Sequence, residues 1–335
     1  MTGGLFRATL LLAAALVFAG VAGGGHAAQP LTFKVGLTAP TVNMLPLWMG
    51  LDAGLFKARG LDVEIVNTDG ASRGLTDVGA GKLQAMTVGL ASVIEANGGS
   101  GDYRLIASGA NTMNFGFIGA KGVTEARALK GKRVGVIALR SESDSAASIA
   151  LKQLGLTRGD VTFVEVGGTL KRFEALKSGA IAAAALNEPT DGEAQQDGLP
   201  LLVDLKSQPW IFTGIVMDRR YLGAHREQVK DFLRAYVEGI YLALSDAARA
   251  KRVIATEFKI VSPAIVETAY QGFKARVPRD AAPSGEGAEI MLRELPGPGA
   301  PVKSANTADY VDASLIEELR AEGFIDAMKN KYRVN

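Results

Sequence analysis

Residues 31–66 read LTFKVGLTAPTVNMLPLWMGLDAGLFKARGLDVEIV, and this stretch decides the fold class. Residues 31–37 alternate apolar and polar side chains, which is typical of a strand, and 46–57 repeat apolar side chains at helical spacing. Gly60 follows that helix as a terminator, and 61–66 predict a second strand. A strand, a helix and a strand in close succession indicate a right-handed crossover within a mainly parallel sheet.

A second run of the same kind begins near Gly131. It predicts strands and helices in the same alternating order over 133–137, 143–154, 161–166, 170–178 and 181–186. The separation between Asp62 and Gly81 recurs between Asp160 and Gly179, and each pair brackets a strand, a helix and the turn before a third strand. This self-similarity predicts two lobes of one design rather than two unrelated domains.

Length and composition limit the function classes. A chain of 335 residues suits two domains of about 150 residues each, and 47% hydrophobic with 21% charged residues is a globular composition. The formal net charge of +2 gives no general attraction to nucleic acid or to an anionic membrane. With no cysteine and only two histidines, disulfides, thiolate nucleophiles and Cys-type zinc sites are excluded. We therefore expect no metal and no cofactor.

The N-terminus has the pattern of an export signal. Arg7 precedes an apolar run over 8–21, which is shorter than the ~20 residues of a membrane span. Gly25-His26-Ala27 supplies small residues at the positions a signal peptidase reads, so we expect a signal peptide over 1–27 that is cleaved near Ala27-Ala28. An N-terminal anchor helix is the alternative. Because the chain holds no cysteine for lipid attachment, we expect an untethered periplasmic protein.

The C-terminal part predicts helices alone. After a strand over 212–217, amphipathic patterns cover 228–244, 247–258, 261–273 and 313–329. Helices without a sheet of their own must bury their apolar faces on a lobe that is already formed. The proline-rich stretch 278–307 is expected to be a surface excursion.

Several motifs together resemble a known family. They are GLFKARGLDVE at 54–64, LKGKRVGV at 129–136, FEALKSGAIAA at 173–183 and Asn187-Glu188-Pro189. As a set they are similar to type II periplasmic substrate-binding proteins of ABC importers, in the SsuA/THI5-like (NMT1) branch that includes alkanesulfonate, taurine, nitrate and pyrimidine binders. Gln84 and Ala182 depart from the aspartate that members usually carry at those turns.

The resemblance implies an α/β fold of two lobes, with two mixed, mostly parallel sheets joined by a two-strand hinge. We expect the first lobe to comprise 28–113 and 216–335, including the C-terminal helices, and the second lobe to comprise 114–215. The hinge strands are expected near 108–119 and 210–217. In this arrangement the ligand lies between the lobes.

Candidate ligand residues follow from the rule that ligands bind beyond the carboxyl ends of strands and near helix N-termini. The serines either contact the ligand or only cap helices. Arg140 either binds an anionic group or pairs with Glu142 or Asp144. Glu188 either starts a helix or accepts from the ligand, and Trp210 is either core or an aromatic wall of the cleft. The predicted ligand-binding residues are Thr38, Thr41, Asn43, Asp69, Ser72, Leu90, Ser92, Asn111, Asn114, Arg140, Ser141, Ser143, Gly168, Asn187, Glu188 and Trp210.

The sequence favours a binding protein over an enzyme. It contains no G-x-S-x-G, H-E-x-x-H or G-x-x-x-x-G-K-[ST] motif, and His225 beside Arg226 and Glu227 is typical of a solvated helix start. We expect a monomer without nucleic-acid partners. It would capture a small polar or anionic organic ligand, a sulfonate, carboxylate or nitrogen heterocycle, and deliver it to an ABC permease in the inner membrane. The alternatives are a cofactor-free lyase or synthase on the same fold and a ligand-sensing module for a membrane receptor.

Overall fold

The structure is a computed structural model that describes residues 1, 31–38, 41–139, 141–295 and 302–334. Residues 2–30, which hold nearly all of the predicted signal peptide and its cleavage site, lie outside the described residues, as does Arg140. Within the described ranges, no helix is both long enough and apolar enough to cross a bilayer.

The described chain contains ten strands, which form two sheets of five strands each. The strands are β1 (Leu31–Leu37), β2 (Leu61–Asn67), β3 (Ala85–Val88), β4 (Tyr103–Thr112), β5 (Phe115–Gly119), β6 (Arg133–Val136), β7 (Thr162–Glu165), β8 (Ala183–Asn187), β9 (Leu201–Asp204) and β10 (Pro209–Asp218).

The two sheets have equivalent strand orders. The first is β2-β1-β3-β10-β4 and the second is β7-β6-β8-β5-β9. In the first sheet β1 runs parallel to β2 and β3, while β10 runs antiparallel to β3 and β4. In the second, β6 runs parallel to β7 and β8, while β5 runs antiparallel to β8 and β9. The predicted fold class, two mixed sheets in a two-lobed α/β architecture, is confirmed. We call each sheet with the helices packed on it the first and the second lobe.

Helices cover both sheets. They are α1 (Leu45–Asp52), α2 (Ala71–Gly79), α3 (Leu90–Gly98), α4 (Glu142–Gln153), α5 (Thr169–Lys177), α6 (Thr190–Gln196), α7 (Arg219–Ala224), α8 (Arg226–Ser245), α9 (Ala247–Glu257), α10 (Pro263–Arg276), α11 (Gly285–Glu294), α12 (Ser314–Ala321) and α13 (Phe324–Tyr332). The first predicted helix ends at Asp52, earlier than expected, because Gly54 adopts a left-handed φ of +67° that turns the chain.

The C-terminal helices bury their apolar faces on the first lobe, as their patterns require. Phe232 of α8 stacks on Phe33 of β1 with ring centroids 4.7 Å apart, and on Phe56 at 5.2 Å. Full burial of such a ring contributes about 1.5–3 kcal/mol. The stretch 278–307 is not wholly a surface excursion, because α11 lies within it and buries Ala288 and Met291 beside β10.

Two short segments connect the sheets. The chain leaves the first sheet after β4 and enters β5 at Phe115, and it returns from β9 to β10 through residues 205–208. The boundary predicted between 215 and 216 falls inside β10. Since Pro209 of β10 pairs with Thr112 of β4, the ladder of the first sheet extends to the start of β10, and the second crossing lies before it.

Candidate functional site

Two adjoining pockets lie at the carboxyl ends of the parallel strands, where the lobes face each other. We call the first the hydroxyl pocket; it has a volume of about 310 Å³ and is lined by Thr38, Thr41, Ala71, Thr87, Val88, Gly89, Ser92, Glu142, Phe212 and Thr213. We call the second the asparagine pocket; it has a volume of about 220 Å³ and is lined by Thr41, Val42, Asn43, Asn114, Asn187, Glu188, Pro189, Ile265, Thr268, Ala269 and Arg276. Thr41 lines both pockets, so they are neighbours in the region between the lobes.

The hydroxyl pocket is built mainly from the first lobe. Helices α2 and α3 begin at its wall, and their caps, Gly70 and Gly89, offer no side chain to the first turn. Thr87 donates to the carbonyl of Gly36 at 3.2 Å, which fixes its hydroxyl inside the sheet. Its wall therefore presents hydroxyl groups and the starts of two helices.

Glu142 enters the hydroxyl pocket from the second lobe. It is the first residue of α4, and its Oε1 lies 3.2 Å from the position that a Cβ on Gly89 would occupy. The same position is 2.7 Å from the carbonyl oxygen of Phe212, so a side chain at 89 would clash with the backbone. Burial raises the pKa of Glu142 to about 8. No hydrogen bond or ion pair joins this carboxyl to another residue in the described part of the chain.

The asparagine pocket contains an ion pair between the lobes. Arg276 at the end of α10 donates from Nη1 to Oε2 of Glu188 at 2.6 Å, and Nζ of Lys206 lies 3.3 Å from Oε1. Lys206 also lies 2.6 Å from Oδ2 of Asp191. Burial acts to raise the pKa of Glu188, but Arg276 and Lys206 outweigh it and hold the pKa below its usual value. Gly272 leaves room for the pair, since a Cβ there would lie 2.7 Å from Nη2 of Arg276.

Several polar atoms of this pocket lack a partner. Within the described residues, Oδ1 of Asn43, Oδ1 of Asn114 and Nε of Arg276 are buried and make no hydrogen bond. Asn43 and Arg276 are 3% and 8% exposed, so bulk water does not satisfy them. Two acceptors and one donor on residues that line the pocket are therefore without a partner inside the described protein.

A buried arginine orients Asn187. Arg172 of α5 is fully buried and donates to the carbonyls of Gly167 and Ala185 at 2.9 and 3.2 Å and to Oγ1 of Thr169 at 3.2 Å. Thr169 in turn donates to Oδ1 of Asn187. Burial lowers the pKa of Arg172 to about 10. Because Oδ1 is occupied, the amide nitrogen of Asn187 is the group available to the pocket.

The two pockets bring together seven of the predicted residues. These are Thr38, Thr41 and Ser92 around the hydroxyl pocket, and Asn43, Asn114, Asn187 and Glu188, with Thr41 again, around the asparagine pocket. Arg140 lies outside the described residues.

The other predicted residues line neither pocket. Leu90 and Trp210 are fully buried in apolar cores, so Trp210 is not a cleft wall. Ser141 caps α4 by accepting from the N–H of Asp144, and buried Ser143 accepts from the N–H of Ile137. Asn111 donates to the carbonyl of Ala282 and accepts from Ser284, which anchors the segment before α11. The remaining three are exposed at turns or helix starts: Asp69, Ser72 and Gly168.

The prediction did not select Glu142, Phe212, Thr213, Thr268 or Arg276. Glu142 lies in the second-lobe loop to which the strand-end rule points, between the predicted Ser141 and Ser143, but it was not included in the predicted set. Arg276 lies near the C-terminus of a helix, where a basic residue usually complements the helix dipole, so its sequence context carries no site signal. No group of three or more acidic or histidine side chains that could hold a metal ion occurs in the ranges that the structure describes.

The geometry defines a class of protein: two α/β lobes that enclose a cleft at the carboxyl ends of their strands. The NMT1/THI5-like family matches residues 41–250, and the chain belongs to that family. No curated protein matches the chain.

Solved structures show the same fold. SsuA from Methylobacillus flagellatus KT, a periplasmic sulfonate-binding protein, has a TM-score of 0.69 and 18% identity over 88% of this chain and 97% of its own. The periplasmic aliphatic sulphonate binding protein SsuA from Escherichia coli has a TM-score of 0.65 and 17% identity over 79% and 91%. The alkanesulfonate-binding protein SsuA from Xanthomonas axonopodis pv. citri, bound to MOPS, has a TM-score of 0.59 and 19% identity over 83% and 99%.

Proposed function

We propose that the protein is an exported receptor that captures a small polar or anionic organic molecule and delivers it to an ABC importer in the inner membrane. The ligand would be a sulfonate, a carboxylate or a nitrogen heterocycle. In this proposal the protein acts as a periplasmic monomer and breaks no bond in its ligand. Its membership of the NMT1/THI5-like family and its structural likeness to sulfonate-binding proteins support this function.

The observation that carries the proposal is the set of unpaired buried atoms in the asparagine pocket. Leaving a buried polar group unpaired costs about 1–3 kcal/mol. Three such groups belong to Asn43, Asn114 and Arg276, all of which line the asparagine pocket. A small molecule that pairs with them offsets this cost, and a micromolar dissociation constant needs only about −8 kcal/mol in total.

Transport follows if the lobes move about the two connecting segments. Residues of both lobes line the asparagine pocket, so a ligand that contacts both favours the closed arrangement. The closed arrangement presents both lobes to the permease in one fixed orientation, which links capture to delivery.

The test is a thermal-shift and calorimetry panel of sulfonates, carboxylates and heterocycles on the mature chain. A ligand present at one hundred times its Kd should stabilise the protein by about 2.7 kcal/mol. Asn187→Ala should lower the affinity for that ligand. Asn67→Ala, at an exposed position of β2, should leave the affinity unchanged. A panel without any stabilising member contradicts the receptor role, and a ligand recovered chemically altered indicates an enzyme instead.

A further inference from the structure

Among the described residues, the hydroxyl pocket holds one titratable group, the carboxyl of Glu142, and no cation beside it. Its other lining residues, which come from the segment after β1 and from α2, β3, α3 and β10, carry no titratable side chain. On α4 itself, Asp144 is already paired with Arg158. Arg140 lies outside the described residues. Among the residues that the structure describes, Glu142 therefore faces hydroxyls, apolar groups and the ring of Phe212, and no cation.

This environment suits a positively charged nitrogen. Oε1 of Glu142 and the carbonyl oxygen of Phe212 lie 3.2 and 2.7 Å from the position that a Cβ on Gly89 would occupy, so these two oxygens are neighbours at the wall of the pocket. The ring of Phe212 lines the same pocket, and aromatic faces attract cations. The hydroxyls of Thr38, Thr41 and Ser92 can accept further N–H groups.

We propose that Glu142 makes the hydroxyl pocket the site for a protonated nitrogen of the ligand, so the protein prefers amine-bearing molecules to otherwise identical molecules without the amine. This inference rests on the proposed receptor function and narrows its ligand class. It separates the chain from a receptor for plain sulfonates, because only an amine-bearing ligand gains a carboxylate–ammonium pair with Glu142.

The protonation chemistry supports the proposal. Burial raises the pKa of Glu142 to about 8, so near pH 7 the empty pocket mostly holds the neutral acid. When an ammonium group binds, the carboxyl loses its proton to solvent and a carboxylate–ammonium pair forms. Binding of an amine should therefore release close to one proton near neutral pH.

The experiment compares ligands that differ only in the amine. The pairs are 3-aminopropanesulfonate with propane-1-sulfonate and 4-aminobutyrate with butyrate, in which the amine is an ammonium group at neutral pH. We expect at least one amine-bearing member to bind with a Kd at least tenfold lower than its partner. Calorimetry in two buffers of different ionisation enthalpy should show proton release for that member alone.

The matched variants are Glu142→Gln and Glu95→Gln. Gln keeps the size of the side chain and removes the charge, so Glu142→Gln should abolish both the tenfold preference and the proton release. Glu95 is exposed on α3 and lines neither pocket, so its variant should keep both. The melting temperature of each unliganded variant checks that it folds.

The possible failures are distinguishable. If members of the panel bind but the amine gives no preference, or if the preference survives in Glu142→Gln, the inference is overturned and the receptor function stands. If no member of any pair binds, the receptor function fails and this inference fails with it.

Discussion

Glu142 and Glu188 both face the cleft from the second lobe, but their surroundings are opposite. Glu188 accepts from Arg276 and lies within 3.3 Å of Lys206, and these cations hold its pKa below the usual value. Glu142 has no such partner among the described residues, and burial raises its pKa to about 8. The same functional group is thus charged and satisfied in one pocket and unsatisfied in the next.

The difference indicates that the pockets have different tasks. Charges in the asparagine pocket are balanced within the protein, so a ligand there needs only hydrogen bonds and the pair holds the lobes together. Among the described residues, the carboxyl of Glu142 in the hydroxyl pocket has no partner, and under our proposal it is the group that distinguishes ligands. The predictions below test this contrast.

The largest expected effect comes from breaking the balanced pair. Arg276→Met should lower the free energy of unfolding by about 3 kcal/mol, because it leaves the largely buried carboxylate of Glu188 with Lys206 alone. Guanidinium denaturation at pH 7 measures the loss. Arg279→Met is the control, since Arg279 is an exposed arginine three residues further along the chain, and it should change stability by less than about 0.5 kcal/mol. Equal losses in both variants would show that the pair contributes nothing specific.

Glu142→Gln should raise the free energy of unfolding at alkaline pH, whereas Arg276→Met lowers it at pH 7. The raised pKa means that the folded protein retains a proton that the unfolded chain has lost, so stability falls as the pH rises from about 4.5 to 8. The limiting slope is about 1.4 kcal/mol per pH unit. The variant lacks this decline and should be about 2 kcal/mol more stable than the native chain at pH 8, allowing for partial exposure of the carboxyl. Denaturation midpoints of the native chain and of Glu142→Gln at pH 5.5 and 8 test this prediction. If stability changes with pH in the same way in both proteins, the prediction is wrong.

Ligand affinity tests whether Arg172 positions the asparagine pocket. Arg172→Met removes the donor that holds Thr169, which frees the amide of Asn187 to rotate. The tightest-binding ligand of the panel should lose about tenfold in affinity, or roughly 1.4 kcal/mol. In an Asn187→Ala background the same change should have little further effect, because the residue it orients is absent.

Lys171→Met, at the exposed neighbour of Arg172, is the control. Additive effects of Arg172→Met and Asn187→Ala on the Kd would contradict the positioning role, since a purely structural arginine would act independently of Asn187.

The smallest expected effect concerns the acid limb of Glu188. Its lowered pKa contributes stability above about pH 4.5, and that contribution is lost as the pH falls through the folded-state pKa. Glu188→Gln should cost about 1 kcal/mol at pH 7, because the amide oxygen still accepts from Arg276. The difference from the native chain should vanish near pH 3. A difference that persists there would assign the effect to packing rather than to charge.

The fold could be predicted because its signals are local. Strand alternation in 31–37, the glycine after the first helix and the repeat of that order after Gly131 all depend on neighbouring residues. The position of the second crossing between the lobes could not be predicted from neighbouring residues. An apolar run such as 210–217 has the same pattern in a hinge or in a central strand, and only its pairing with β3 and β4 places it in the first sheet.

The sequence predicted those site residues that lie at the ends of strands, and it missed the others. Polar residues after strands, such as Thr38 and Asn187, lie at the cleft, whereas Leu90 and Trp210 turned inward because burial of apolar side chains outweighs their place in the sequence. Arg276 reaches the pocket from a helix far along the chain, and no nearby residue indicates its contact with Glu188. Long-range contacts of this kind require the tertiary structure.

Lys206 belongs to the short return segment between the lobes, and its ammonium contacts Asp191 and Glu188. A rotation that twists this segment must carry the ammonium with it, which changes its distance from both carboxylates. The electrostatic potential at the pocket wall thus depends on the interlobe angle. An infrared or NMR probe of the Glu188 carboxylate would consequently report domain motion without any label on either lobe.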